Sequence, residues 1–118
     1  MKVAIYGLSI VISAVAANQA AAGDLYSWKC TFPGYKEPST YFYDVSTGKA
    51  YASGNLGTIE EEVYGGEEAI SFIERIPSGA VQTLTILLKT GEAVLSHHTI
   101  YFGEFSESQV KGSCQQSH

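Results

Sequence analysis

A small antiparallel β-barrel or compact β-sandwich of about eight strands is the fold class this sequence predicts. Three observations carry it. Turn signals built from Gly, Pro, Asn and Ser recur roughly every eight to twelve residues after the first part of the chain, the spacing of all-β sandwiches and barrels. The segments between them are rich in Tyr, Phe, Val, Ile and Thr, which suit a pleated, half-buried surface. The two cysteines, Cys30 and Cys114, stand at the two ends of this region, where one disulfide would staple it. The connections are short, which favours antiparallel neighbours, because a parallel crossover needs about a dozen residues or more. A meander of such connections tilts the expectation toward a barrel.

The first element is not domain material. Met1-Lys2 is followed by the uncharged run "VAIYGLSIVISAVAA" and then by "NQAAAGD", in which Ala20-Ala21-Ala22 has the small-residue pattern of a cleavage site. Residues 1–22 are expected to be a cleavable signal peptide and 23–118 a single all-β domain. The apolar run is short for a span of about 20 residues, so no stable membrane insertion is expected after cleavage. About 95 residues then remain. A chain of that size buries only about two-thirds of its unfolded surface, and a staple helps. A Cys30–Cys114 bond closes nearly the whole domain, for which the chain-entropy account gives about 4–5 kcal/mol.

The strands follow in order. "LYSWKCTF" (Leu25 to Phe32) opens the domain, and the loop "PGYKEPS" follows, marked by two prolines and a glycine. "TYFYDV" leads through Ser46-Thr47-Gly48 into "KAYAS", and Gly54-Asn55-Leu56-Gly57 into "TIEEEVY". Gly65-Gly66 is a two-residue hairpin signal. "EAISFIERI" ends at Pro77-Ser78-Gly79, and "AVQTLTILLK" runs to Thr90-Gly91. "EAVLSHHTIYF" reaches Gly103, a short polar loop comes next, and "SQVKGSC" is the last strand. Alternation assigns the faces. Leu84, Ile86 and Leu88 share one, expected to line the interior. Ile59 and Val63 face the core, with Glu60 and Glu62 in water. In the histidine strand Val94, Ser96, His98, Ile100 and Phe102 form one set, and His98 is expected at the core or its rim, with His97 in solvent.

Charge and motifs exclude more than they propose. Without Lys2, six of the seven lysines and arginines remain against twelve aspartates and glutamates. That balance argues against nucleic acid, whose phosphates demand a basic face, and permits a basic protein partner. His97 and His98 point to opposite faces of a strand, so they cannot share a metal ion without a bulge, and no CxxC or HxxxH spacing supplies further ligands. No metal and no cofactor is expected. No G-x-S-x-G context surrounds a serine. Glu60-Glu61-Glu62 and Glu67-Glu68 offer carboxylates for glycoside cleavage, which needs two about 5–9.5 Å apart, but such a run also blunts a sheet edge. Arg75, the one arginine, offers either a surface ion pair worth less than about 1 kcal/mol or a fork for a carboxylate or phosphate. Aromatics crowd "TFPGYKEPSTYFY", and exposed tyrosines anchor partners. Tyr35, Tyr41, Tyr43 and Arg75 are therefore the expected binding residues, with no catalytic residue assigned.

"WKC" at Trp28 to Cys30 and "GSC" at Gly112 to Cys114 give a layout similar to that of the membrane-bound and periplasmic inhibitors of C-type lysozyme. Those are small exported β-barrels with an aromatic-x-Cys near the mature start and a cysteine near the end. That family's segment is Ser-Gly-x-x-Tyr. Here Ser53-Gly54 is followed by Gly57 at the tyrosine position and Ser78-Gly79 by Gln82, so the resemblance covers the layout and not the inhibitory motif. The expectation is a non-enzymatic binding module of the bacterial envelope, periplasmic or secreted, that binds or inhibits a protein partner. The alternatives are a small-ligand carrier using the mouth of the barrel, and a hydrolase using exposed carboxylates or His98.

Overall fold

A computed structural model describes residues 24–54 and 57–117. The expected signal peptide at 1–22, Asn55-Leu56 and His118 lie outside the described residues. Eight strands follow one another: β1 (Leu25–Thr31), β2 (Ser39–Asp44), β3 (Lys49–Gly54), β4 (Gly57–Gly65), β5 (Ala69–Arg75), β6 (Val81–Leu87), β7 (Glu92–Tyr101) and β8 (Glu104–Gln116). Each pairs antiparallel with the next, and β8 returns to β1, closing an antiparallel barrel. Closure removes most of the edge that an eight-stranded open sheet would expose, and it leaves a single interior for the alternating apolar residues to fill.

The sequence of opposed residues shows how the barrel is staggered. One row of inward-facing positions runs Tyr26, Tyr43, Ala50, Glu61 across the first four strands. It continues, in the register of β4 with β5, through Glu74, Gln82, His97 and Ser108. At the seam Trp28, two residues along β1 from Tyr26, lies opposite Gln116, eight residues beyond Ser108. The row therefore climbs from one rim to the other, as the strand tilt of a closed barrel requires.

The core occupies the rows on either side. Phe72, Leu84 and Ile86 are fully buried, with Trp28, Tyr41, Ile70 and Leu95 around them. Phe72 stands between two rings, 5.7 Å from Trp28 edge-on and 5.2 Å from Tyr41. Burying each such aliphatic or aromatic side chain contributes about 1.5–3 kcal/mol, and residues from five strands meet in this cluster. Leu88, expected with Leu84 and Ile86, instead lies past the end of β6 and is exposed, because the strand stops at Leu87. Ile59 shares the inward row of Val63 but is exposed, since it lies toward the rim.

The seam between β1 and β8 is a short ladder of four residue pairs, as is that between β4 and β5. Cys30–Cys114 is one of them, a disulfide across a sequence separation of 84. Beside it Gly112 has no room for a side chain: a Cβ there would lie 2.3 Å from the Thr31 carbonyl oxygen and 2.4 Å from the Phe32 ring. Phe32 covers this glycine and the adjoining wall.

The largest departure from the expected elements is at "EFSE", residues 104–107, which are strand and not loop. The turn before them is Phe102-Gly103 alone, with Tyr101 opposite Glu104. Both turn residues have positive φ, 51° and 82°. That is the pattern of the two-residue hairpin turn whose twist matches its strands, and Asn or Gly usually takes its first position. Phenylalanine there hides the signal.

Candidate functional site

Two places gather chemistry that the core does not use. The first is the climbing row, which turns polar over five strands, from buried Glu61 through Glu74, Gln82 and His97 to exposed Ser108. Glu61 is only 8% exposed. Burial, and then the charge of Glu74, pushes its carboxyl up to about 7. The Tyr41 hydroxyl nearby is raised above its ordinary value by burial and then by the charges of Glu61 and Glu74. The Gln82 amide donates to Glu74 Oε1 at 3.5 Å. His97 Nε2 and the Ser108 hydroxyl share a hydrogen bond, while His97 Nδ1 is buried with no partner among the described residues.

This corrects the histidine assignment. His97 faces inward and His98 is exposed on the outside. Ala93 and Leu95, both buried, lie on the His97 face. Val94, Ile100 and Phe102 made the other face look apolar, but Ile100 and Phe102 belong to a projecting segment beyond the barrel wall. The glutamate run divides in the same way. Glu60 and Glu62 are in water, as expected, and Glu61 takes the inward place between Ile59 and Val63 that alternation assigns it. Among the described residues no group of three or more His, Cys, Asp or Glu is placed to hold a metal ion.

The second place is the projecting hairpin. The register of β6 with β7 begins at Val81 opposite His98. Thr99–Tyr101 and Glu104–Ser106 therefore run on paired only to each other among the described residues, as a two-stranded arm. The Thr99 hydroxyl donates to the Ser106 carbonyl oxygen at 2.6 Å, tying the ribbon together. Its tip is aromatic. Tyr101, Phe102 and Phe105 are 69%, 89% and 75% exposed. Tyr101 and Phe102 touch edge to face at 4.4 Å. A bulky residue at positive φ is uncommon, and such a conformation costs on the order of 1–3 kcal/mol. Between the outer face of the arm (His98, Ile100, Phe105, Glu107) and the β5–β6 turn lies an open groove of about 610 Å³.

The four residues expected to bind do not form one surface. Tyr41 is buried in the core and is not an exposed anchor. Tyr43 is half-buried and faces inward beside Tyr26. Tyr35 is exposed in the β1–β2 loop and meets Phe32 edge to face, with ring centroids 6.0 Å apart. Arg75 is exposed, with Nε 2.8 Å from Glu62 Oε2 across the outer wall, an ion pair of the weak surface kind. The arm itself was legible only as an oddity: three aromatics within five residues around a glycine, in an otherwise polar stretch.

No family model, no curated protein and no solved structure matches this chain.

Proposed function

We propose that this protein is a non-enzymatic binding module of the bacterial envelope, exported to an oxidising compartment, that binds or inhibits a protein partner. The observation that carries the reading is the arm: three aromatic side chains held in water at its end, one of them at a backbone angle that disfavours it. Exposed aromatics on a rigid element are the usual anchors of protein interfaces, and strain kept at an exposed position points to use there and not to packing. The acidic balance of the chain, with Glu104 and Glu107 beside the aromatics, suits a partner carrying lysine or arginine, which aromatic faces and carboxylates both attract. Export is supported by the disulfide, which persists in oxidising compartments.

A photo-crosslinking phenylalanine at Phe102, introduced in the native host, tests this. The same group at Tyr64, also highly exposed but next to the β4–β5 turn, is the control. One dominant protein adduct at Phe102 and none at Tyr64 is expected. Identical adducts at both positions would remove the arm as a recognition element.

A further inference from the structure

The arm leaves one side of β8 open. Only Trp28–Thr31 of β1 lie beside β8, opposite Ser113–Gln116. From Glu104 to Lys111 no strand flanks it on the side away from β7 among the described residues. The direction of its peptide groups can be read from two bonds. The Cys114 N–H donates to the Gly91 carbonyl on the β7 side, and the Ser117 N–H donates to the Ser27 carbonyl of β1. Peptide groups alternate along a strand, so the even-numbered residues of β8 bond to β7 and the odd-numbered ones face the seam side. Phe105, Glu107, Gln109 and Lys111 therefore point their N–H and C=O groups into the open edge. Such an edge is a template for another strand.

We propose that a second copy of this chain occupies it, through antiparallel pairing of the two β8 strands about a two-fold axis at Ser108. The residues choose both the occupant and the register. Centred on Ser108, Phe105 lies opposite Lys111 of the second copy, Glu107 opposite Gln109, and Ser106 opposite Val110, each twice. Lys111 then sits over an aromatic ring, with the second copy's Glu107 diagonally beside it, so both charge signs are complemented. Moving the axis to Glu107 sets Glu107 against Glu107, a like-charge pair that opposes association. Moving it to Gln109 sets Phe105 against Ser113, whose edge already holds Thr31. With the axis at Ser108 the ladder ends where β1 begins, and all four edge-facing residues are paired. The contact lies along the edge of the ribbon and goes beyond the partner reading: of the tip aromatics it takes up only Phe105 and leaves Tyr101 and Phe102 to a partner.

The test uses the mature, oxidised protein. Light scattering over a dilution series should give twice the monomer mass, falling to the monomer on dilution. Gln109→Pro deletes an edge-facing N–H and leaves the β7–β8 ladder its own donors, so it should be monomeric with an unchanged circular dichroism spectrum. Ser108→Cys brings two thiols together at a closely spaced pair. Under mild oxidant it should form a covalent dimer at least about tenfold faster than Ser106→Cys, which faces Val110 instead. A wild-type chain that stays at the monomer mass throughout, a Gln109→Pro variant that still dimerises, or equal cross-linking at 106 and 108 would each overturn the proposal.

Discussion

Gly91 and Gly103 have the same backbone angle, φ +82°, and very different surroundings. Gly91 closes the β6–β7 turn of the barrel body, where a Cβ would lie 2.4 Å from the Cys114 carbonyl oxygen. Gly103 is at the tip of the arm, where a Cβ would meet nothing within 4 Å. The body surrounds each residue with neighbours from three strands and a staple, so sequence changes there act on stability. The arm is a ribbon with water on most sides, so changes there act on what it touches. The aromatic content confirms the split: Trp28, Tyr41 and Phe72 are packed inside, while Tyr101, Phe102 and Phe105 are held out.

The sharpest way to break the body is at its seam. Cys30→Ser and Cys114→Ser should each destabilise by about 4–5 kcal/mol, and the double variant by no more than either, since all three remove one bond. Urea unfolding measures this, and additive losses would contradict a shared bond. Next comes the glycine pair. Gly91→Ala should cost about 2–4 kcal/mol from backbone strain and overpacking together, and Gly103→Ala only about 1 kcal/mol from strain. Equal midpoints for the two variants would mean that the arm is packed as the body is.

Glu61 makes the contrast pH-dependent. Its carboxyl is held up to about 7 in the folded barrel against an ordinary 4.5, so the folded state holds the proton more tightly than the unfolded chain. Stability is fully present below about pH 4.5 and is lost as pH rises through 7, by about 1–3 kcal/mol. Glu61→Gln should flatten that profile and raise the melting temperature at pH 8 while leaving it nearly unchanged at pH 4. The smallest effect belongs to the tip. Phe102→Asn should leave stability unchanged or raise it by up to about 1 kcal/mol, because asparagine accepts positive φ, while abolishing partner capture. A loss of stability would show that Phe102 packs more than its exposure indicates.

The body was largely legible in the sequence and the arm was not, for a physical reason. Within a closed barrel the period of two is enforced by burial, so the strand order, the short turns and the cysteine pair follow from local pattern. Even Glu61 obeys the rule: it stands between Ile59 and Val63, and only its charge hid its inward direction. Beyond the barrel wall nothing is buried, and apolar residues no longer mark the inside. Ile100 and Phe102 then mislead the assignment of His97 and His98. The tyrosine-rich stretch fails for the opposite reason. Tyr41 and Tyr43 have polar hydroxyls and read as surface, yet they stand on the inward row with Trp28 and Tyr26 as neighbours.

The arm and the chain ends lie at opposite rims. The N–H of Val45, in the β2–β3 turn, reaches the carbonyl of Asp24, and Ser117 closes on Ser27, so both ends of the described chain leave the barrel side by side. The β7–β8 tip is at the far end of the same strands. A tether at either terminus would therefore hold the barrel like a stalk, with Phe102 as the point farthest from the support.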